Sequence, residues 1–449
     1  MSPAVGLPFP SIAKIHERIA QQTLTRRGRF VVIAVGAAFL YFLYSSIVLD
    51  RTEKPPTYRE WHQKELALPQ NNPDLRYPQG RFGKYVRFSN HVTHLGWGNA
   101  MQEMIMNAHV AYKADRTFVF YNYTWDVHGE YSRFGSGLTP SRIPITAFAA
   151  GPIAGDEFPP SYNTPPAVAF EFFDEVCTKR TIIEIDPSKG DLAWASATTI
   201  IDHYVARLRH TPDNCVEFVN KPMFDYMLFG DAGRISTVWP ELMNSPILTQ
   251  WAWSSLVVSG VETNHELIHP SLEHAADTSA LSGLIALHIR RGDFKDHCKY
   301  LTKFRSSYNG FNVRSDFNDQ YSLPEEETEL EAFYDAHCFP DIPEIVTKVL
   351  GVRRALGGSP DRIYVLTNAQ PDWLKKLERA LRDEAGWMSI TTSRDLQITP
   401  EQKFVSQAMD MLIASRAQAF VGNAFSSLTS NVNLLRVAQG HSPSTTYFW

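Results

Sequence analysis

From residue 280 to the C-terminus the chain alternates between two hydrophobic periods, and few folds satisfy that alternation. "ALSGLIALHI" (280–289), "DRIYVLTN" (361–368) and "QAFVGN" (418–423) are apolar runs of strand length. Around and between them, "PDIPEIVTKVLGVRRALGG" (340–358), "QPDWLKKLERALRDEAG" (370–386), "FVSQAMDMLIASRA" (404–417) and "SSLTSNVNLLRVAQG" (426–440) read as helices, several with Pro near the start or Gly at the end. Strands separated by helices return in the same direction, so the pattern predicts a parallel sheet covered on both faces. A second such region begins with a strand at Tyr85–Phe88 and a Gly-containing loop. A helix follows, with the stripe Met101, Met104, Ile105, Ala108 and Ala111, and then the strand "TFVFYNY" (117–123), making a βαβ unit. The predicted architecture is α/β, with two Rossmann-like domains facing across a cleft. Residues 82–282 form the N-terminal domain and residues 283–449 the C-terminal one. Residues 125–170, rich in Gly, Pro and Ser, are expected as long surface loops.

Upstream, Phe30–Leu49 is a charge-free apolar run of about twenty residues, the length of one bilayer crossing. Arg26, Arg27 and Arg29 precede it, which places the tail 1–29 in the cytosol and the rest beyond the membrane. Residues 50–81 are polar and Pro-rich and are expected as a stem. This is the layout of many single-pass type II Golgi or ER enzymes. Four cysteines, Cys177, Cys215, Cys298 and Cys338, suit two disulfides in an oxidising lumen, with local pairing 177–215 and 298–338 favoured among three possibilities. Asn122-Tyr-Thr124 is a glycosylation sequon. A formal charge of -5 excludes a basic nucleic-acid-binding surface as the organising feature.

The chemistry concentrates where strands end. "ALHIRRGDF" (286–294) closes an apolar strand with His288, Arg290, Arg291 and Asp293. Ligands of open α/β sheets bind beyond the carboxyl ends of strands, and guanidinium forks suit phosphate. Alternation puts His288 and Arg290 on one face, so one arginine meets a ligand and the other is held elsewhere. In "AFVGNAFSSLTSNVNLLR" (419–436) a strand runs through Asn423 into a helix opened by Ser426, Ser427 and Thr429, and free N–H groups at a helix start attract phosphate. "LGWGNAM" (95–101) supplies Gly96, Gly98 and Asn99, where backbone approaches closely. Glu103, one turn later, faces either the cleft or water.

These blocks resemble the GDP-fucose protein O-fucosyltransferases and the related α1,6-fucosyltransferases. "HIRRGDF" is similar to the His-x-Arg donor motif, "LGWGNAMQEMI" to the Gly-x-Gly-Asn loop, "IYVLTNAQ" (363–370) to a strand motif in which members often carry Asp where Asn368 stands, and "MDMLIASRAQAFVGNAFSSLTS" (409–430) to the closing donor motif. The resemblance implies a GT-B fold, a GDP-fucose donor, a protein or glycan acceptor, inversion at the sugar carbon and no metal or other cofactor. It casts Arg290 as the catalytic cation on the departing phosphate. It casts His288, Arg291, Asp293, Asp410, Asn423, Ser426, Ser427 and Thr429 as donor contacts, with Gly96, Gly98 and Asn99 reaching in from the N-terminal side. No catalytic base is identified. Two alternatives stay open: another nucleotide sugar, or a non-catalytic GT-B binding protein.

Overall fold

The computed structural model describes residues 54–134, 137–162, 164–384 and 386–449. The tail 1–29 and the apolar run Phe30–Leu49 lie outside the described residues. Among the described residues no helix is long and apolar enough to cross a membrane. Pro56–Ser132 and Thr139–Trp449 form one compact unit, and two parallel sheets organise it.

The first sheet has strands β1 (Tyr85–Phe88), β2 (Thr117–Val119), β3 (Thr181–Ile185) and β4 (Cys215–Asn220), in the order β2-β1-β4-β3. All its pairings are parallel. Helix α1 (Trp97–Lys113) connects β1 to β2 and α2 (Ala197–His210) connects β3 to β4. Helix α3 (Ser255–Thr263) then leads into the second sheet: β5 (Leu281–Ile289), β6 (Arg362–Thr367), β7 (Ser389–Thr392), β8 (Ala417–Gly422) and β9 (Thr446–Phe448). After β5 come α4 (Phe294–Lys303), α5 (Leu330–Cys338) and α6 (Ile342–Ala355), then α7 (Pro371–Asp383) after β6, α8 (Pro400–Arg416) after β7 and α9 (Ser427–Ala438) after β8. The order is β7-β6-β5-β8-β9, parallel throughout.

Local chemistry explains the helix starts. Asp341 with Glu344, and Thr399 with Gln402, form capping boxes at α6 and α8, and Pro stands in the first turn of α6, α7 and α8. Strand β5 is central and buried on both faces. Ile285, Leu287 and Ile289 pack with Val349 of α6 and Leu377 of α7, while Leu284 and Ala286 pack with Leu412 of α8 and Leu434 of α9. That alternation sends His288 and Arg290 toward α9, and Arg291 toward α7.

The apolar core is continuous from Val86 and Met101 to Tyr364 and Val432, and α3, upstream of residue 283, packs on α8. There Asn264 Nδ2 donates to Gln397 O at 2.8 Å and Gln397 N returns a bond at 2.7 Å. The stretch expected as a spacer is part of the body from Tyr58 on. Tyr58 is buried and donates to Glu401 O, and Gln70 Nε2 bonds Gly155 O at 2.6 Å and Ala167 O at 2.9 Å. Residues 125–170 are not all surface loops either. Ile145, Ala147, Phe148 and Ile153 are buried, and Phe148 stacks on Trp97 at 3.9 Å. Gly and Pro there mark short turns between buried pieces, which composition alone cannot separate from exposed loop.

Both disulfides take the local pairing, Cys177–Cys215 and Cys298–Cys338, with Cα separations of 5.7 and 5.9 Å. The second closes a loop with a sequence separation of 40. Loop-closure entropy then assigns it on the order of 3–4 kcal/mol. Replacing Cys298 and Cys338 together by Ser should lower the free energy of unfolding by about that much in denaturant titrations. A loss below about 1 kcal/mol would show that α4 and α5 are held by packing instead.

Candidate active site at the switch point of the second sheet

In the order β7-β6-β5-β8-β9 the chain leaves β5 to one side and resumes at β8 on the other. The crevice of such a sheet opens beyond the carboxyl ends of those two strands. His288 and Arg290 end β5, and Asn423 and Ser426–Thr429 link β8 to α9. Gly98, in the first turn of α1, meets the same corner. A Cβ on Gly98 would lie 2.7 Å from Ser427 Oγ and 2.9 Å from Leu428 N, so only a hydrogen fits. Asn431 Nδ2 locks the contact by donating to Gly98 O at 2.7 Å. Two helix N-termini, each with free N–H groups and a positive dipole end, therefore abut beside Arg290's strand.

The arginine pair is split. Arg290 stays partly exposed at 28%. Its Nη2 meets Asp293 Oδ2 at 3.0 Å, its guanidinium lies 4.6 Å from the Phe294 ring, and its Nε is buried with no partner among the described residues. Arg291 is buried on the other face between Phe339 at 4.3 Å and Trp373 at 4.1 Å, and donates to Pro340 O. Asn368 joins the two. It accepts from Arg291 N at 2.8 Å and donates to Arg291 O at 3.0 Å and Asp293 Oδ1 at 2.9 Å. A carboxylate at 368 could not donate and would face Asp293 with like charge.

The other sequence-predicted residues divide into buried supports and available groups. His288 is buried, and its Nδ1 lies 2.7 Å from Thr429 Oγ1. Burial and the nearby Arg290 charge push its imidazole down to about 3, so it is neutral. Asn423 donates to Cys338 O at 2.6 Å and accepts from Phe425 N. Ser426 caps α9 by accepting from Leu428 N at 3.3 Å. Asp410 accepts from Tyr364 Oη at 2.6 Å, with its carboxyl raised to about 7 by burial. Since Tyr364 stands opposite Ala286, Asp410 sits below the crevice rather than at its mouth. Gly96 caps α1. The half-buried Asn99 and Ser427 make no side-chain hydrogen bond among the described residues. At the sequon, Thr124 Oγ1 donates to Asn122 O at 3.1 Å.

Residues 251–439 match the sequence profile of the GDP-fucose protein O-fucosyltransferase family. The matched residues carry the His288–Asp293 and Met409–Ser430 motifs whose resemblance to that family the sequence showed. No curated protein matches it. Solved structures similar to it include POFUT1 in complex with GDP, at 13% identity and TM-score 0.48 over 81% of this chain and 97% of that one. POFUT1 in complex with GDP-fucose gives 14%, 0.46, 82% and 97%, and a mutant of Arabidopsis thaliana FUT1 in complex with GDP gives 12%, 0.37, 86% and 78%. Scores below 0.5 support no residue-by-residue comparison.

Glu103 belongs neither to the cleft nor to a solvated face. It is buried on α1, where Oε2 accepts from Val92 N at 3.0 Å and lies 3.5 Å from Tyr121 Oη. Asn107 Nδ2 bonds the same Tyr121 oxygen at 3.1 Å, and His91 stacks on the Tyr121 ring at 4.0 Å. The signal in the sequence was the spacing of Glu103 and Asn107, which puts both on one helix face. The cluster fixes the loop joining β1 to the Gly96–Asn99 turn. Burial raises the Glu103 carboxyl from 4.5 to about 8. The folded state then holds a proton that the unfolded state releases above about pH 4.5. Stability from this group is full below that value and falls as pH rises to about 8, by at most about 5 kcal/mol. Glu103→Gln should flatten this part of the pH–stability curve and melt above wild type at pH 8.5. A variant that melts below wild type there would mean that the fold does not raise the Glu103 carboxyl above its unfolded value.

Proposed function

We propose that this chain, which matches the O-fucosyltransferase family over residues 251–439, transfers fucose from GDP-fucose to a protein or glycan hydroxyl. In this reading the two parallel sheets are the halves of a GT-B fold. The observation that carries it is Arg290. It is a partly exposed cation at the switch point of the second sheet, with most of its donor fork unused, beside the N-termini of α1 and α9. The acceptor oxygen bonds to the anomeric carbon from the face opposite the phosphate, the carbon–oxygen bond to GDP breaks, and its electron pair leaves on the β-phosphate. Charge thus develops on the departing phosphate, and a preformed cation with aimed N–H groups stabilises charge that appears only in the transition state. Asp293 and Asn368 hold the guanidinium in place. The acceptor proton leaves to solvent or to the released phosphate. Attack opposite to the leaving group inverts the anomeric centre.

The reading extends to location. Phe30–Leu49 would anchor the protein in a Golgi or ER membrane with the cysteines luminal, where two disulfides are expected to persist. Inversion and metal independence follow from the family resemblance, and the chain contains no Asp-x-Asp element.

Titration calorimetry should show binding of GDP and GDP-fucose and none of UDP. Arg290→Lys keeps the charge and loses the planar fork. It should lower kcat by about 10²–10³ with an unchanged melting temperature, and near-wild-type turnover would sink the assignment. Transfer should also persist in EDTA. Abolition by the chelator, with recovery on adding Mn²⁺, would place the enzyme in a metal-dependent class.

A further inference from the structure

Helix α4 leaves the switch point directly from Asp293 and carries two different faces. Phe294, Cys298 and Leu301 turn inward, onto the cluster stapled by Cys298–Cys338. The outer stripe at helical spacing is His297, Tyr300 and Phe304, all exposed, with Tyr300 and Phe304 at 55% and 56%. Surface helices ordinarily place polar residues there. The rings form a continuous ladder instead. Arg290 lies 4.6 Å from Phe294, Phe294 4.9 Å from His297, His297 6.4 Å from Tyr300 and near-parallel to it, and Tyr300 4.6 Å from Phe304.

We propose that this ladder is the acceptor platform and that the acceptor is a carbohydrate, its sugar rings lying against Tyr300 and Phe304. The inference rests on the reading of Arg290 as the cation beside the departing phosphate. The acceptor hydroxyl must reach the carbon bonded to that phosphate, so the exposed stripe that starts at His297, one buried ring (Phe294) away from Arg290, borders the acceptor. Sugars present flat CH-rich faces that pack on aromatic rings, while their hydroxyls bond to a polar rim. Here the rim is Asp296, Lys299 and Lys303. A peptide is recognised by an open strand edge or an apolar groove, and an outward helix ridge offers neither. A membrane is disfavoured by Asp293 and Asp296, whose carboxylates are 71% and 92% exposed at the ladder's start.

The test uses the full-length chain in detergent, wild type against Tyr300→Ala/Phe304→Ala. Binding to an array of immobilised neutral oligosaccharides is read without donor, alongside calorimetry with GDP. The double variant should bind the recognised glycans about ten-fold more weakly, with GDP affinity and melting temperature unchanged. Tyr300→Phe, which keeps the ring, should restore glycan binding. In transfer assays the loss should fall on acceptor KM rather than on kcat. Unchanged glycan binding by the double variant overturns the proposal. So does a wild-type protein that binds GDP but only peptide acceptors, or one that loses only phosphatidylcholine-vesicle binding on mutation. If the wild type binds neither GDP nor GDP-fucose, the donor reading falls, while the donor-free array still decides the ladder.

Discussion

The strand ends and loops around the crevice are tied to one helix that hydrogen-bonds through its buried side. In α9 Thr429, Ser430, Asn431, Asn433 and Arg436 are all buried. Leaving such a group unpaired costs about 1–3 kcal/mol, so each has a fixed address. Thr429 meets His288 on β5. Ser430 Oγ accepts from Phe311 N at 2.7 Å, and Asn433 donates to Asn312 at 2.8 Å. Asn431 holds Gly98 of α1. Arg436 donates to the carbonyls of Ala414, Ser415 and Ala417 and to Thr445 Oγ1, tying α8 and the approach to β9 to the same axis. An apolar α9 would slide; this one has a single register.

That register sets where the cation stands. His288 is neutral and bonded to α9, while its carbonyl accepts the Trp449 indole at 2.9 Å. The strand end therefore cannot rotate, and Arg290 projects on the α9 side by alternation alone. Arg291 is spent in the opposite direction, stacked between two rings and bonded to Pro340. The two adjacent arginines thus do different work. One braces the strand end from behind, and the other is left with an open fork in front.

The sequence made the second sheet legible because its strands are apolar runs and its helices carry Pro starts and Gly ends, signals that need no partner to be read. Local spacing named the cysteine pairing that the structure takes without excluding the other two. Residues 125–280 were not legible, since β3 and β4 are short and their neighbours pack through scattered aromatics such as Phe148 on Trp97. Within the site, the motif residues Gly98 and Ser427 meet beside the end of Arg290's strand. The motifs could not tell a ligand-facing polar residue from a buried one. Thr429 and Asn423 read as donor contacts and Glu103 as facing the cleft or water; all three are buried and hydrogen-bonded to the protein's own backbone or side chains. Spacing reveals a face, but only packing decides whether that face meets water, a ligand or another helix.

The insert after β5 is fastened to this same arrangement at neighbouring points. Asn423 donates to Cys338 O and Arg291 to Pro340 O, so both strand ends of the crevice grip the corner between α5 and α6. Cys338 in turn is bonded to Cys298 on the inner face of α4. The α9-anchored β8 turn, the β5 end and the disulfide make a closed ring of constraints around α4. The direction in which α4 points its outer side chains is therefore fixed by the bonds that fix Arg290. A surface meant to present one hydroxyl to a reacting carbon gains from such coupling, because an error of about 1 Å at that distance costs on the order of 10² in rate.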